Sequence, residues 1–219
     1  MTEEERIAEL SYQKTNKTGF IIAAVVIFIL ACIAPIGISS FYYASNKAFA
    51  ETFDSFDVNG YIQNQNLTAG FHYGLQTSDK SGCGWIATYN ALVYLKNEGY
   101  YDGEIVIEDL IRVFANYGTF AYGYLGTNPL VIKYYLEGKG FKVNIVTNRD
   151  NFVEAATNSL VNISLYVSKK FNYGHYQMFE KTETYGQFWF ANPVELLTID
   201  EFIMNHPIEY LGIITINNA

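Results

Sequence analysis

The chain has 219 residues, half of them apolar and 17% aromatic, and carries a net charge of -8 at pH 7. That length suits a single domain with a substantial core. The acidic balance excludes nucleic acid as a partner, because binding a phosphate backbone requires clustered Lys and Arg and no basic stripe occurs. A metal centre is excluded as well: there is no Cys-x-x-Cys, and His72, His175 and His206 are widely scattered. No cofactor motif is present.

Residues 1–18 form a polar tail that opens on Glu3, Glu4 and Glu5 and continues with Arg6, Lys14 and Lys17. Residues 19–40 are expected to be a transmembrane helix, since the uncharged run 20–38, at about 1.5 Å per residue, spans a roughly 30 Å hydrocarbon layer. Phe41, Tyr42 and Tyr43 would form an interfacial belt. Arg6, Lys14 and Lys17 precede the span and only Lys47 follows it closely, so the positive-inside tendency places a single-pass protein in the cell membrane with its domain extracytoplasmic. A signal peptide cleaved after Ala48-Phe49-Ala50 competes with this, but the apolar run exceeds a usual signal core and that site lies far downstream. Residues 41–66 read as a stalk, and residues 67–219 as the folded domain.

Within the domain, a helix is expected over 83–95 with Gly99 beyond it, a second over 107–117 ending at Gly118, and a third opened by Asn128 and Pro129. The Gly- and Tyr-rich stretch 117–126 between them is a loop, either near a substrate cleft or merely a structural turn. Alternation then predicts a strand over 141–147, a short helix over 150–157 and a strand over 160–168. Residues 175–181 and 187–191 flank the turn 183–186 as a hairpin. Thr198 and Glu201 make a capping box for a short helix, and 210–216 is a final strand. Helices first and antiparallel strands afterwards give an α+β domain.

Chemistry is concentrated at three places. Cys32 lies inside the apolar run, so a disulfide to Cys83 is not expected, and Cys83 opens a helix between Gly82 and Gly84. Unpaired N–H groups and the positive end of the helix dipole favour a thiolate there, as a cysteine nucleophile needs. A nucleophile also requires a base, and the base a group to fix its tautomer. His175 heads the first hairpin strand and Asn192 ends the second, so antiparallel pairing brings them near each other if both side chains face the same side. Trp85 reads as core.

On these residues the sequence resembles the papain-like cysteine peptidases, within them the compact bacterial branch of double-glycine peptidase-like domains that process bacteriocin leaders. The matching pieces are Gln76, Cys83-Gly84 opening a helix, Gly174-His175-Tyr176 opening a strand and Asn192-Pro193, with 17 positions from His175 to Asn192. The resemblance covers roughly residues 70–216. It implies a papain-like fold in which helices carrying the Cys pack on an antiparallel sheet carrying His and Asn. It implies Cys83 as nucleophile, His175 as base and Asn192 as its orienter. Gln76 and the Cys83 N–H would form the oxyanion hole, and the substrate would be a peptide or protein. Gln76 stands seven residues before Cys83 where the family has six, and Asn192 replaces the Asp usual in that branch. Two alternatives stay open: a peptidoglycan amidase or endopeptidase of the cysteine, histidine-dependent amidohydrolase type, and a catalytically inactive peptide-binding or immunity module.

Overall fold

The computed structural model describes residues 3–54, 56–124, 126–168, 174–206 and 208–219. Parts of the expected tail, stalk and Tyr-rich loop (Met1 and Thr2, Ser55, Leu125) lie outside the described residues. The chain order is α1 (Glu3–Ala50), a two-stranded hairpin β1 (His72–Tyr73) and β2 (Gln76–Thr77), α2 (Ser78–Ser81), α3 (Cys83–Asn97), α4 (Ile107–Tyr117) and α5 (Pro129–Glu137). There follow β3 (Phe141–Val146), α6 (Phe152–Thr157), β4 (Val161–Ser168), β5 (Gly174–Lys181), β6 (Gln187–Ala191), β7 (Glu195–Thr198), α7 (Ile199–Asn205) and β8 (Ile208–Asn218). The architecture is α+β, as the order of periodicities requires.

Among the described residues one helix is long and apolar enough to cross a membrane, and Phe20, Ile27 and Phe28 on it are exposed. The helix does not stop at the expected start of the stalk but runs on to Ala50. Tertiary contacts hold its last turns. The Asn46 side chain both accepts from the His72 N–H (2.7 Å) and donates to the His72 carbonyl (2.9 Å), and Tyr42 stacks on the His72 ring at 4.0 Å. Phe49 meets Phe71 edge to face at 4.7 Å.

Six strands in the order β3-β8-β4-β5-β6-β7, all antiparallel, form the main sheet. Strand alternation divides its side chains between two cores. Ile163, Tyr176, Met178 and Ile216 face α3 and α4, packing with Trp85, Leu92 and Phe114. Tyr166, Phe179, Phe188 and Phe190 face the other way, against Phe152 of α6 and Phe202 of α7. Local signals place the helix ends: the Asn128 side chain accepts from the Leu130 N–H at 3.0 Å ahead of Pro129, and the Thr198–Glu201 capping box forms in both directions.

At the C-terminal end of α3 an open cleft of about 820 Å³ is lined by Tyr61, Tyr94, Glu98, Glu180 and Trp189 among others. Burial, then the neighbouring Glu98 carboxylate, raises Glu180 to about 7. A folded-state value above the ordinary 4.5 means stability that is present below pH 4.5 and is lost as pH rises through about 7. Glu180→Gln is therefore expected to stabilise the domain at pH 8 and not at pH 4.5. Solvent screening of this half-buried group limits the gain to about 1 kcal/mol. Denaturant midpoints of both proteins at the two pH values check the sign.

Candidate active site

Cys83 is the first residue of α3, and its side chain is buried. The turn that delivers it is tightly built. A Cβ on Gly82 would lie 2.6 Å from both the Ser78 carbonyl oxygen and Trp85 Nε1, and one on Gly84 would lie 2.4 Å from Thr127 Oγ1. Thr127 is in turn fixed by Tyr73 Oη at 2.8 Å, and its carbonyl accepts from Tyr176 Oη at 2.8 Å. The glycines flanking Cys83 thus let two neighbouring elements close on the backbone around the sulfur.

The sulfur faces the strand that carries His175. Backbone N–H groups of Tyr176, Gly84 and Cys83 itself pull the thiol pKa down, but burial outweighs them and pushes it above its ordinary 9.0. This reverses the expected thiolate preference: a helix N-terminus acts on the charge, whereas removal from water penalises it more. The Tyr176 N–H is available because β6 pairs with β5 only up to the Met178–Ala191 match, leaving the head of β5 without a neighbour on that side.

His175 Nε2 lies 3.0 Å from the main-chain oxygen of Asn192. A carbonyl can only accept, so Nε2 carries the proton and the neutral ring keeps Nδ1 as its free lone pair. Burial lowers the His175 pKa below 6.5, while the Asn192 carbonyl and the Glu195 carboxylate oppose that. The imidazole meets the Tyr166 ring edge to face at 5.6 Å, which puts it towards the sheet face opposite α3. Among the described residues no hydrogen bond joins it to the Cys83 sulfur. The structure therefore gathers Cys83, His175 and Asn192 at one end of β5, with sulfur bound to the residue next to His175 rather than to its ring.

Asn192 is buried and adopts φ +69°, a left-handed conformation that Asn tolerates better than most residues. Its Oδ1 accepts from the Gln65 N–H at 3.0 Å, so its carbonyl rather than its amide contacts the ring. Gln76 sits on β2, half-buried, and no hydrogen bond ties its side chain to Cys83 among the described residues. No local pattern singles out Gln65, which lies within the expected stalk. Besides holding Asn192, its Nε2 donates to the Ser78 and Asp79 carbonyls at 3.0 and 2.9 Å, joining the Asn192 turn to the turn that precedes Cys83. Among the described residues no group of three or more His, Cys, Asp or Glu is arranged to hold a metal.

The ring contact separates two readings of Asn192. If the carbonyl orients His175, Asn192→Gly keeps both that oxygen and the left-handed backbone, and any peptide-hydrolysing activity should stay within about tenfold of wild type. Asn192→Ala strains the backbone and should destabilise the domain by about 1–2 kcal/mol. Thermal melts and kcat of the two variants check this; equal, large losses of kcat in both would assign the orienting role to the side chain.

No protein-family model matches the chain, and no curated protein matches it. Solved structures do. The chain is similar to the peptidase domain of Streptococcus ComA, a bi-functional ABC transporter involved in a quorum sensing pathway, at 17% identity and a TM-score of 0.46 over 68% of this chain and 100% of that one. It is similar to a double glycine motif protease from an AMS/PCAT transporter in complex with the leader peptide, at 10% identity and a TM-score of 0.41 over 63% and 84% of the two chains. It is also similar to the N-terminal peptidase C39 like domain of a toxin secretion ATP-binding protein from Vibrio parahaemolyticus, at 8% identity and a TM-score of 0.37 over 61% and 97%.

Proposed function

We propose that the protein is a membrane-anchored cysteine peptidase that hydrolyses peptide bonds outside the cytoplasm. The observation that carries the reading is the convergence at the head of β5, where the Cys83 sulfur takes the N–H of the residue following a histidine whose ring is held with Nδ1 free. In this mechanism a rotation of the His175 side chain brings Nδ1 to the sulfur. His175 then takes the thiol proton as the sulfur attacks the substrate carbonyl, and returns it to the leaving amine. Water hydrolyses the resulting thioester with the same ring as base. Asn192 orients the ring. The Cys83 N–H, with Gln76 once substrate has ordered its side chain, stabilises the oxyanion, a contact worth roughly 3 to 4 kcal/mol per donor. The substrate is a peptide or protein, and the apolar part of α1 is the single-pass anchor.

A second reading has its own support. A buried thiol with a raised pKa and an imidazole bonded elsewhere also suit a peptide-binding module without hydrolytic activity. Incubating the full-length protein in detergent with a mixed peptide library, and reading products by mass spectrometry, separates the two. Cleavage that disappears in Cys83→Ala supports the peptidase; retention of peptides without cleavage by either protein supports the binder.

A further inference from the structure

We infer that the segment from Tyr117 to Tyr124 is a second membrane contact: an aromatic loop that enters the lipid bilayer beside the anchor and fixes the domain against its surface. This rests on the reading of α1 as a membrane span and adds a surface to it.

Three contacts, in order, align α4 with α1. Tyr43 Oη donates to Asp109 Oδ1 at 3.2 Å, and the Arg112 guanidinium stands 4.9 Å above the Tyr43 ring. One turn back along α1, Ser39 Oγ donates to Asn116 Oδ1. Beyond the end of α4, Tyr122 Oη donates to the Ala31 carbonyl at 3.5 Å. The two helices therefore run antiparallel, and α4 leads its following loop down the side of α1. Ala31 is inside the uncharged run 20–38, about 10 Å below Ile38 at 1.5 Å per residue. The Tyr122 hydroxyl, where it meets Ala31, therefore lies at the depth of lipid, not of water, and the loop that carries it stands between that depth and the interface.

The composition of the loop suits that depth. From Val113 to Ile132 there is no Asp, Glu, Lys or Arg, whereas Arg112 and Lys133 bound the segment. Tyr117, Phe120 and Tyr124 are 67%, 46% and 64% exposed, so large rings stand free of the domain's own core. Tyrosine prefers the interface, where the ring meets acyl chain and the hydroxyl meets headgroups. The charged pair Asp109 and Arg112 sits at the height of Tyr43, beyond the end of the apolar run, where water is available.

The loop is also joined to the candidate active site. The Leu75 N–H donates to the Tyr122 carbonyl at 2.8 Å in the hairpin that bears Gln76, and Thr127, which packs on Gly84, follows the loop by three residues. Docking the loop would thus hold the site close to the membrane, within reach of peptides emerging from or lying on the bilayer.

The test uses full-length protein carrying Cys32→Ser and Cys83→Ser, with one reporter cysteine labelled by bimane and reconstituted in phosphatidylcholine vesicles containing acyl-chain spin-labelled lipid. Reporters are Tyr124→Cys in the loop, Ala31→Cys in the anchor and Tyr185→Cys at the distant hairpin turn; melts verify folding. Quenching at 31 and 124 but not at 185 is expected. Quenching at 31 without quenching at 124 would overturn the loop contact and leave the anchor standing, as would a loop covered by a second copy instead of lipid. Quenching at 185 equal to that at 124 overturns it too, since the domain would then be embedded without orientation. Absence of quenching at 31 would overturn the anchor, and the loop contact with it.

Discussion

Cys83→Ala should lower kcat for peptide hydrolysis by about 10⁴-fold or more, with His175→Gln falling to a similar level and the double variant no lower. Residues that act as one proton-transfer unit lose their function together, so the effects do not add. The pH dependence follows from the two opposed shifts. His175 is held below 6.5, so its ring is neutral and competent as a base at pH 7, and activity should fall only as pH drops beneath that value. Cys83 is held above 9.0, so the resting site is a neutral thiol beside a neutral imidazole rather than an ion pair. Without substrate, alkylation of Cys83 by iodoacetamide should accordingly still be climbing at pH 9. A rate that is already flat between pH 5 and 7 would mean a preformed thiolate, and would contradict the burial of the Cys83 thiol.

The parts of the fold that the sequence disclosed are those governed by neighbouring residues. Asn128-Pro129 and Thr198-x-x-Glu201 carry their helix starts within four positions, and alternation marks β5 and β6 because each side chain's face is set by its parity. The places of Cys83, His175 and Asn192 were legible for the same reason: each stands at the end of an element whose type is locally encoded. What was hidden depends on burial by distant parts of the chain. The helical continuation of α1 through the stalk is held by Asn46 and Tyr42 on His72, a contact no local pattern announces. The sulfur's raised pKa arises from the packing of α3 on β5, which overrides the helix dipole that can be read from sequence. The same parity bears on His175. Tyr176 and Met178 are on the α3 side, so His175 starts on the other, and its ring would have to turn at the open end of the strand to reach the sulfur.

Trp85→Ala is expected to produce the largest stability loss of any single change near the site, about 3–5 kcal/mol, because it empties a fully buried volume. The indole does more than fill space. Its Nε1 donates to Ser78 Oγ at 3.0 Å, and its ring meets Phe71 edge to face at 5.6 Å, so it ties α2 to α3 directly behind Cys83. Ser78 and Asp79 offer the carbonyls that anchor Gln65, and Gln65 holds Asn192. Trp85→Phe separates the two contributions. It keeps most of the apolar volume but leaves the buried Ser78 hydroxyl without its donor, which costs about 1–3 kcal/mol. Denaturant unfolding should therefore rank wild type above Phe and Phe above Ala. If the tie from Ser78 through Gln65 to Asn192 sets the position of His175, the Phe variant should also lose kcat by more than its modest destabilisation explains, under conditions where it remains fully folded. Unchanged kcat in folded Trp85→Phe would confine Trp85 to the core and leave the placement of His175 to β5 and the Asn192 carbonyl alone.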